Sequence, residues 1–179
     1  MNPAPNLVLV GPMGAGKSSI GKRLAAHLGL EFVDADQRLE QLAGATVSVI
    51  FELEGESGFR LREAQLLTEL LRGSAQVIAT GGGAVLSAST REQLRERSFV
   101  VYIKAGIDQQ LDRLARDHSR PLLASGDRRE KLQALASLRD PLYDAVADLV
   151  FASDGLSVGS AASKVCAQVQ AQWQREAAA

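Results

Sequence analysis

Eight residues constrain this chain more than any others. Gly11-Pro12-Met13-Gly14-Ala15-Gly16-Lys17-Ser18 fits G-x-x-x-x-G-K-[ST] without a gap. Before it, Asn6 to Val10 is a short apolar run that reads as a buried strand. After it, Ile20, Leu24 and Leu28 fall at i, i+4 and i+8, which is one face of a helix. A strand, a glycine loop and a helix are the context this motif requires. The residue types follow from the chemistry. Gly11, Gly14 and Gly16 let the backbone wrap closely. The loop amides, with Ala15, Ser18 and Ser19 among them, converge as an anion nest at a helix N-terminus. Lys17 is spaced to reach the β- and γ-phosphates, and the Ser18 hydroxyl is placed for Mg²⁺. The motif therefore specifies a nucleoside triphosphate but leaves the acceptor open.

Composition narrows the classes. At 179 residues and 46% hydrophobic content the chain suits one globular domain with a full core. A net charge of −1 argues against a general nucleic-acid or membrane-surface binder. The single cysteine, Cys166, excludes an intrachain disulfide and fits a reducing compartment. It lies among Val158, Ala162, Val165 and Val169, so it reads as a packed small hydrophobe. No signal peptide or membrane-length apolar run is present. The expectation is a soluble, cytoplasmic monomer without nucleic-acid or membrane partners.

Further along, Glu31 to Asp34 reads as a second strand that ends in Asp34-Ala35-Asp36. If the segment stays extended, both carboxylates project to one face at the carboxyl end of a strand, where open α/β sheets bind ligands. The alternative is that Asp36 caps a helix over Gln37 to Leu42. Val47 to Leu53 is expected as a short helix, broken by the acidic stretch Glu52 to Gly58, with a longer helix from Phe59 to Leu71. A third strand, Gln76 to Thr80, runs directly into Gly81-Gly82-Gly83. Three glycines there mark either close approach of backbone to a ligand or a plain turn. Helices over Ser87 to Arg97 and Ile107 to Leu114 flank a fourth strand, Ser98 to Ile103. Arg113 to Arg139 carries six Arg and one Lys against three acids, interrupted by Pro121 and Gly126. It reads as a lid over a transferring group or as a solvated loop. A helix over Lys131 to Leu138 should be interrupted or kinked near Pro141. A fifth strand, Asp148 to Ala152, and a helix over Leu156 to Trp173 complete the chain. Strands alternating with helices imply an α/β fold with a parallel sheet covered on both faces. No strand ends in an aspartate at the usual metal-holding place, which leaves Asp34 for that task.

Taken together, the glycine loop with Ile20-Gly21, Asp34-x-Asp36, Phe59-Arg60-x-x-Glu63, Gly81-Gly82-Gly83, Arg120-Pro121-Leu122-Leu123 and Arg139-x-Pro141-Leu142-Tyr143 resembles the shikimate kinases over nearly the whole chain. The resemblance implies a three-layer α/β/α P-loop domain over 1–179, with five parallel strands in order 2-3-1-4-5 and a lid at about 113–127. It implies ATP-dependent phosphorylation of the 3-hydroxyl of shikimate, with Mg²⁺, in aromatic amino acid biosynthesis. By motif, Lys17, Asp36 and Arg120 would be catalytic. Gly14, Ala15, Gly16, Lys17, Ser18, Ser19, Arg113 and Arg120 would hold the nucleotide. Asp36, Arg60, Gly81, Gly82, Gly83 and Arg139 would hold shikimate, and Ser18 and Asp34 the metal. Arg60 and Arg139 suit a carboxylate, and Asp36 suits vicinal hydroxyls. Three small departures, at Ser19, Ala35 and Asp144, remove none of these contacts.

Overall fold

The computed structural model describes residues 4–117, 121–124 and 126–173. Five strands form one parallel sheet in the order β2-β3-β1-β4-β5. They are β1 (Asn6–Val10), β2 (Glu31–Asp34), β3 (Gln76–Ala79), β4 (Ser98–Lys104) and β5 (Leu149–Ala152). β1 lies at the centre and is buried throughout. Its side chains alternate, as the period of two requires. Leu7 and Leu9 enter one core with Phe99, Val101 and Ile103, while Val8 and Val10 enter a second core with Val100 and Tyr102 on the opposite face.

Helices cover both faces. α1 (Lys17–Leu28) and α7 (Val158–Gln172) pack on the first through Ile20, Leu24, Val165 and Val169. α2 (Ala35–Ala43), α3 (Val47–Arg72), α4 (Ala88–Arg97) and α6 (Arg128–Val146) cover the second through Leu39, Leu67, Leu94 and Tyr143. α5 (Ile107–Leu114) joins a small satellite cluster of Leu114, Leu123 and Leu132. Cys166 is buried in the first core, and that burial pushes its thiol pKa up, as suits an inert hydrophobe. On the same side the Trp173 indole N–H donates to the Ala4 carbonyl at 2.9 Å.

Two elements differ in detail from the pattern reading. α3 is two helices that meet at a kink at Gly55, whose φ of 71° is left-handed. The expected break within the acidic stretch is there, as a kink with no intervening loop. Arg62 spans it with two 2.7 Å hydrogen bonds to the Glu54 carboxylate. α6 runs through Pro141 to Val146, so proline does not end it. Its buried Arg139, Tyr143 and Val146 fall at i, i+4 and i+7, and packing along that stripe offsets the lost backbone bond at proline.

Candidate active site

β1 delivers the glycine loop to the carboxyl edge of the sheet, as open α/β folds do with their ligand sites. Gly14 and Gly16 adopt φ of 77° and 92°, conformations that side chains rarely take. Gly16 is the N-cap of α1, and no side chain caps that terminus. Its first-turn amides and the positive end of the helix dipole are therefore directed at whatever anion enters. The Lys17 ammonium is 9% exposed and donates to the carbonyls of Gly11 and Pro12, each at 2.8 Å. Arg113, near the end of α5, donates to the Gly14 carbonyl at 2.9 Å. This places it against the glycine loop.

The Ser18 hydroxyl donates to Oδ2 of Asp34. Asp34 is the N-cap of α2, its Oδ1 accepting from the Gln37 amide at 3.1 Å. This corrects the sequence reading of Asp34-Ala35-Asp36. The strand stops at Asp34 and Asp36 lies in the first turn of α2, so extended spacing does not align the two carboxylates. Neither does Asp36 act as the cap. A strand-to-helix junction brings both side chains to the same cleft instead. Among the described residues no group of three or more His, Cys, Asp or Glu could hold a metal ion. Ser18 and Asp34 supply a hard-oxygen pair, and such a pair fits Mg²⁺ that arrives on phosphates.

The other end of the cleft is made of charged side chains under cover. α3 presents Arg60 and Glu63, three residues apart on one face. Arg60 Nη1 donates to Glu63 Oε2 at 2.7 Å, while its Nε and Nη2 reach Glu56 Oε1 at 3.3 and 3.2 Å. Glu63 is 3% exposed, its Oε1 has no hydrogen-bond partner among the described residues, and burial raises its pKa against the pull of Arg60. α6 presents Arg139, 4% exposed, with Nε likewise unpartnered among the described residues and its pKa lowered by burial. A buried guanidinium with an open donor calls for an anion.

The triple glycine lies between these groups. A Cβ on Gly81 would stand 2.9 Å from Asp36 Oδ1 and would collide with Glu63. One on Gly83 would fall on the Arg60 guanidinium, and one on Gly82 would lie 3.5 Å from both Arg139 Nη1 and the Met13 amide. Backbone therefore packs closely against site side chains at Gly81 and Gly83, as the close-approach alternative expects, while Gly82 has ordinary contact distance to Arg139. Tyr143 is 1% exposed and its hydroxyl donates to the Gly82 carbonyl.

One cleft of about 760 Å³ is lined by Gly14, Gly16, Lys17, Ser18, Ser19, Asp34, Asp36, Arg60, Gly81, Gly82, Gly83, Arg113 and Arg139. Ala15 is buried beneath the loop and packs into the first core. Arg120 lies outside the described residues, and the segment expected as a lid is described only in part. Pro121 and Leu122 line the cleft, and Arg128 ties the segment's base to the carbonyls of Leu114 and Asp117 at 2.7 and 3.0 Å. Glu63 and Tyr143 are site residues to which the sequence assigned no role. Their signal was spacing: Glu63 lies three residues after Arg60, and Tyr143 four after Arg139. Among the described residues no helix is long and apolar enough to cross a membrane.

Known proteins are similar to this chain in sequence and fold. A family model described as shikimate kinase matches residues 13–170. A shikimate kinase from Xanthomonas campestris pv. campestris is 51% identical over 173 residues, covering 97% of this chain and 96% of that protein. One from Stenotrophomonas maltophilia is 48% identical over 176 residues, covering 98% of each. The structure of a shikimate kinase from Acinetobacter baumannii in complex with shikimate superposes with a TM-score of 0.91 at 45% identity, covering 94% of each chain. That from Aquifex aeolicus gives 0.79 at 26% identity, covering 93% of this chain and 98% of the other. With the family model spanning most of the chain and these identities running nearly end to end, the chain belongs to the shikimate kinase family.

Proposed function

We propose that this chain transfers the γ-phosphoryl group of ATP to the 3-hydroxyl of shikimate, giving 3-phosphoshikimate and ADP on the route to aromatic amino acids. The observation that carries this reading is the pairing of Arg139, a buried guanidinium with an open Nε, with Arg60 across the same triple glycine. Two arginines on separate helices suit the single carboxylate of a small polyol. Membership of the family and the shikimate-bound neighbour support the same acceptor.

In this reading Arg60 and Arg139 clamp the carboxylate, and Gly81, Gly82 and Gly83 form the backbone wall of the acceptor site. Asp36 accepts from the ring hydroxyls and holds the 3-hydroxyl towards the γ-phosphate. A loose phosphoryl-transfer transition state needs positioning and charge neutralisation more than proton abstraction, so Asp36 acts chiefly by orientation. Lys17 follows the negative charge that builds on the transferring oxygens, and Arg120 adds a second cation from the lid at about 113–127. Gly14, Gly16, Ser18 and Ser19 hold the phosphates, and Arg113 lies beside the nucleotide. Ser18 and Asp34 would hold Mg²⁺, which would supply positive charge against the triphosphate. The whole chain, 1–179, works as one catalytic domain, as a monomer in the cytoplasm. A single buried cysteine agrees with that reducing compartment.

The test is ADP release from Mg-ATP with shikimate, with gluconate and with no acceptor. Release that depends on shikimate supports the assignment. Release with gluconate alone would keep the phosphate site and remove the carboxylate clamp.

A further inference from the structure

We propose that the Tyr143 hydroxyl is a positioning group for the acceptor site, holding Arg60 and Arg139 in one register through the Gly82–Gly83 peptide. The inference rests on the acceptor reading above. It starts from the geometry of the triple glycine. Arg139 sits one helical turn before Tyr143 on α6, and a Cβ on Gly82 would lie 3.5 Å from its Nη1. The same hydroxyl donates to the Gly82 carbonyl. A peptide unit is planar, so a hold on the Gly82 carbonyl also fixes the Gly83 amide and the path of the chain through Gly83. Gly83 lies so close beneath Arg60 that a Cβ there would occupy the guanidinium. One phenol thus holds the peptide that lies beside the first arginine and sets the surface on which the second rests.

The surroundings make that hold firm. Tyr143 is almost wholly buried, and its ring packs on Tyr102 with centroids 5.0 Å apart. The Tyr102 hydroxyl is occupied elsewhere, donating to Asp140 Oδ1 at 3.1 Å. Burial pushes the Tyr143 phenol pKa up, so the group stays protonated and remains a donor. The two tyrosines form a matched pair. Both are buried, both use the hydroxyl in a hydrogen bond, and Tyr143 alone is tied to the acceptor loop.

The experiment uses steady-state kinetics on wild type, Tyr143→Phe and Tyr102→Phe, with melting temperatures for all three. Tyr143→Phe keeps the ring and leaves the Gly82 carbonyl without its donor. We expect its KM for shikimate to rise about tenfold, the change that loss of one buried hydrogen bond brings, with KM for ATP within about twofold of wild type. Tyr102→Phe should leave both KM values within about twofold while its melting temperature falls as much as that of Tyr143→Phe, since each loses one buried hydrogen bond. A Tyr143→Phe enzyme with unchanged KM for shikimate would overturn the proposal. So would an equal rise in Tyr102→Phe, which would mark general loosening of the tyrosine pair. If the wild-type chain itself failed to use shikimate, the acceptor reading would fall separately. Hydrogen exchange of the Gly83 amide would then decide. Faster exchange in Tyr143→Phe but not in Tyr102→Phe supports the hold on the loop, and equal exchange rates in all three overturn it.

Discussion

At the glycine loop the cations are already held by backbone, Lys17 by the carbonyls of Gly11 and Pro12 and Arg113 by that of Gly14. At the other end of the cleft Arg139 and Glu63 are just as hidden, yet Arg139 Nε and Glu63 Oε1 have no hydrogen-bond partner among the described residues. The two ends show two ways to build a binding site. One uses main-chain geometry that is complete before a ligand arrives. The other buries charged side chains whose hydrogen bonding is incomplete, so that a ligand of matching charge gains more than it would at a satisfied surface. The first suits a phosphate common to many acceptors, and the second suits selection of one acceptor.

The contrast can be tested by removing parts from each end. Lys17→Met should lower kcat by about 10³-fold, because a charge stabiliser of the transition state is lost. Steady-state assay with Mg-ATP measures this, and a loss confined to KM for ATP would show that Lys17 only binds. Arg139→Ala should lower kcat/KM for shikimate by about 10²-fold. Its melting temperature should hold or rise, since a desolvated guanidinium with an open donor is removed. A clear fall in melting temperature would mean that Arg139 is structural and would erase the distinction between the two ends.

Gly83→Ala tests the acceptor loop alone. The φ of −97° at Gly83 allows alanine, and the obstacle to its Cβ is the movable head of Arg60. The fold should survive, with KM for shikimate up about tenfold, near the value of one displaced charged hydrogen bond, and KM for ATP unchanged. The smallest effect concerns Glu63. Its pKa is raised above the ordinary 4.5, chiefly by burial. A carboxyl raised in the folded state binds protons more tightly there than in the unfolded chain. Its contribution to stability is therefore full below the ordinary value and lost as pH rises through the folded one. Glu63→Gln lacks that loss. Its melting temperature relative to wild type should improve by about 3 °C between pH 4 and pH 7. Scanning calorimetry at several pH values checks this, and a flat difference would show that Arg60 fully compensates the buried charge.

These ends also differed in how far the sequence disclosed them. The glycine loop is a local device in which spacing, flanking strand and following helix all lie within 28 residues, and the structure matches the pattern. The parallel sheet was likewise visible as apolar runs between helical stripes. The acceptor end joins α2, α3, the β3 loop and α6, and no local pattern says that Arg60, Arg139 and Gly83 will meet. Resemblance to a family brought those residues together. It gave no part to Glu63 or Tyr143, whose importance comes from burial. Asp34 and Asp36 show the limit of periodicity. Both residues line the cleft, but the extended spacing on which they were paired ends at Asp34, and Ala35 already begins α2. Pro141 shows the same limit, since a buried stripe carried the helix past a residue that usually stops one.

The hydrogen bond from Trp173 to Ala4 has a practical consequence. It brings the two ends of the described chain side by side, next to the amino end of β1, whereas the cleft opens at the carboxyl ends of the strands. A short linker could join them without crossing the sheet. The ring so formed could be reopened at a surface turn such as Asp154-Gly155, giving a circular permutant in which strand order and both halves of the cleft are kept.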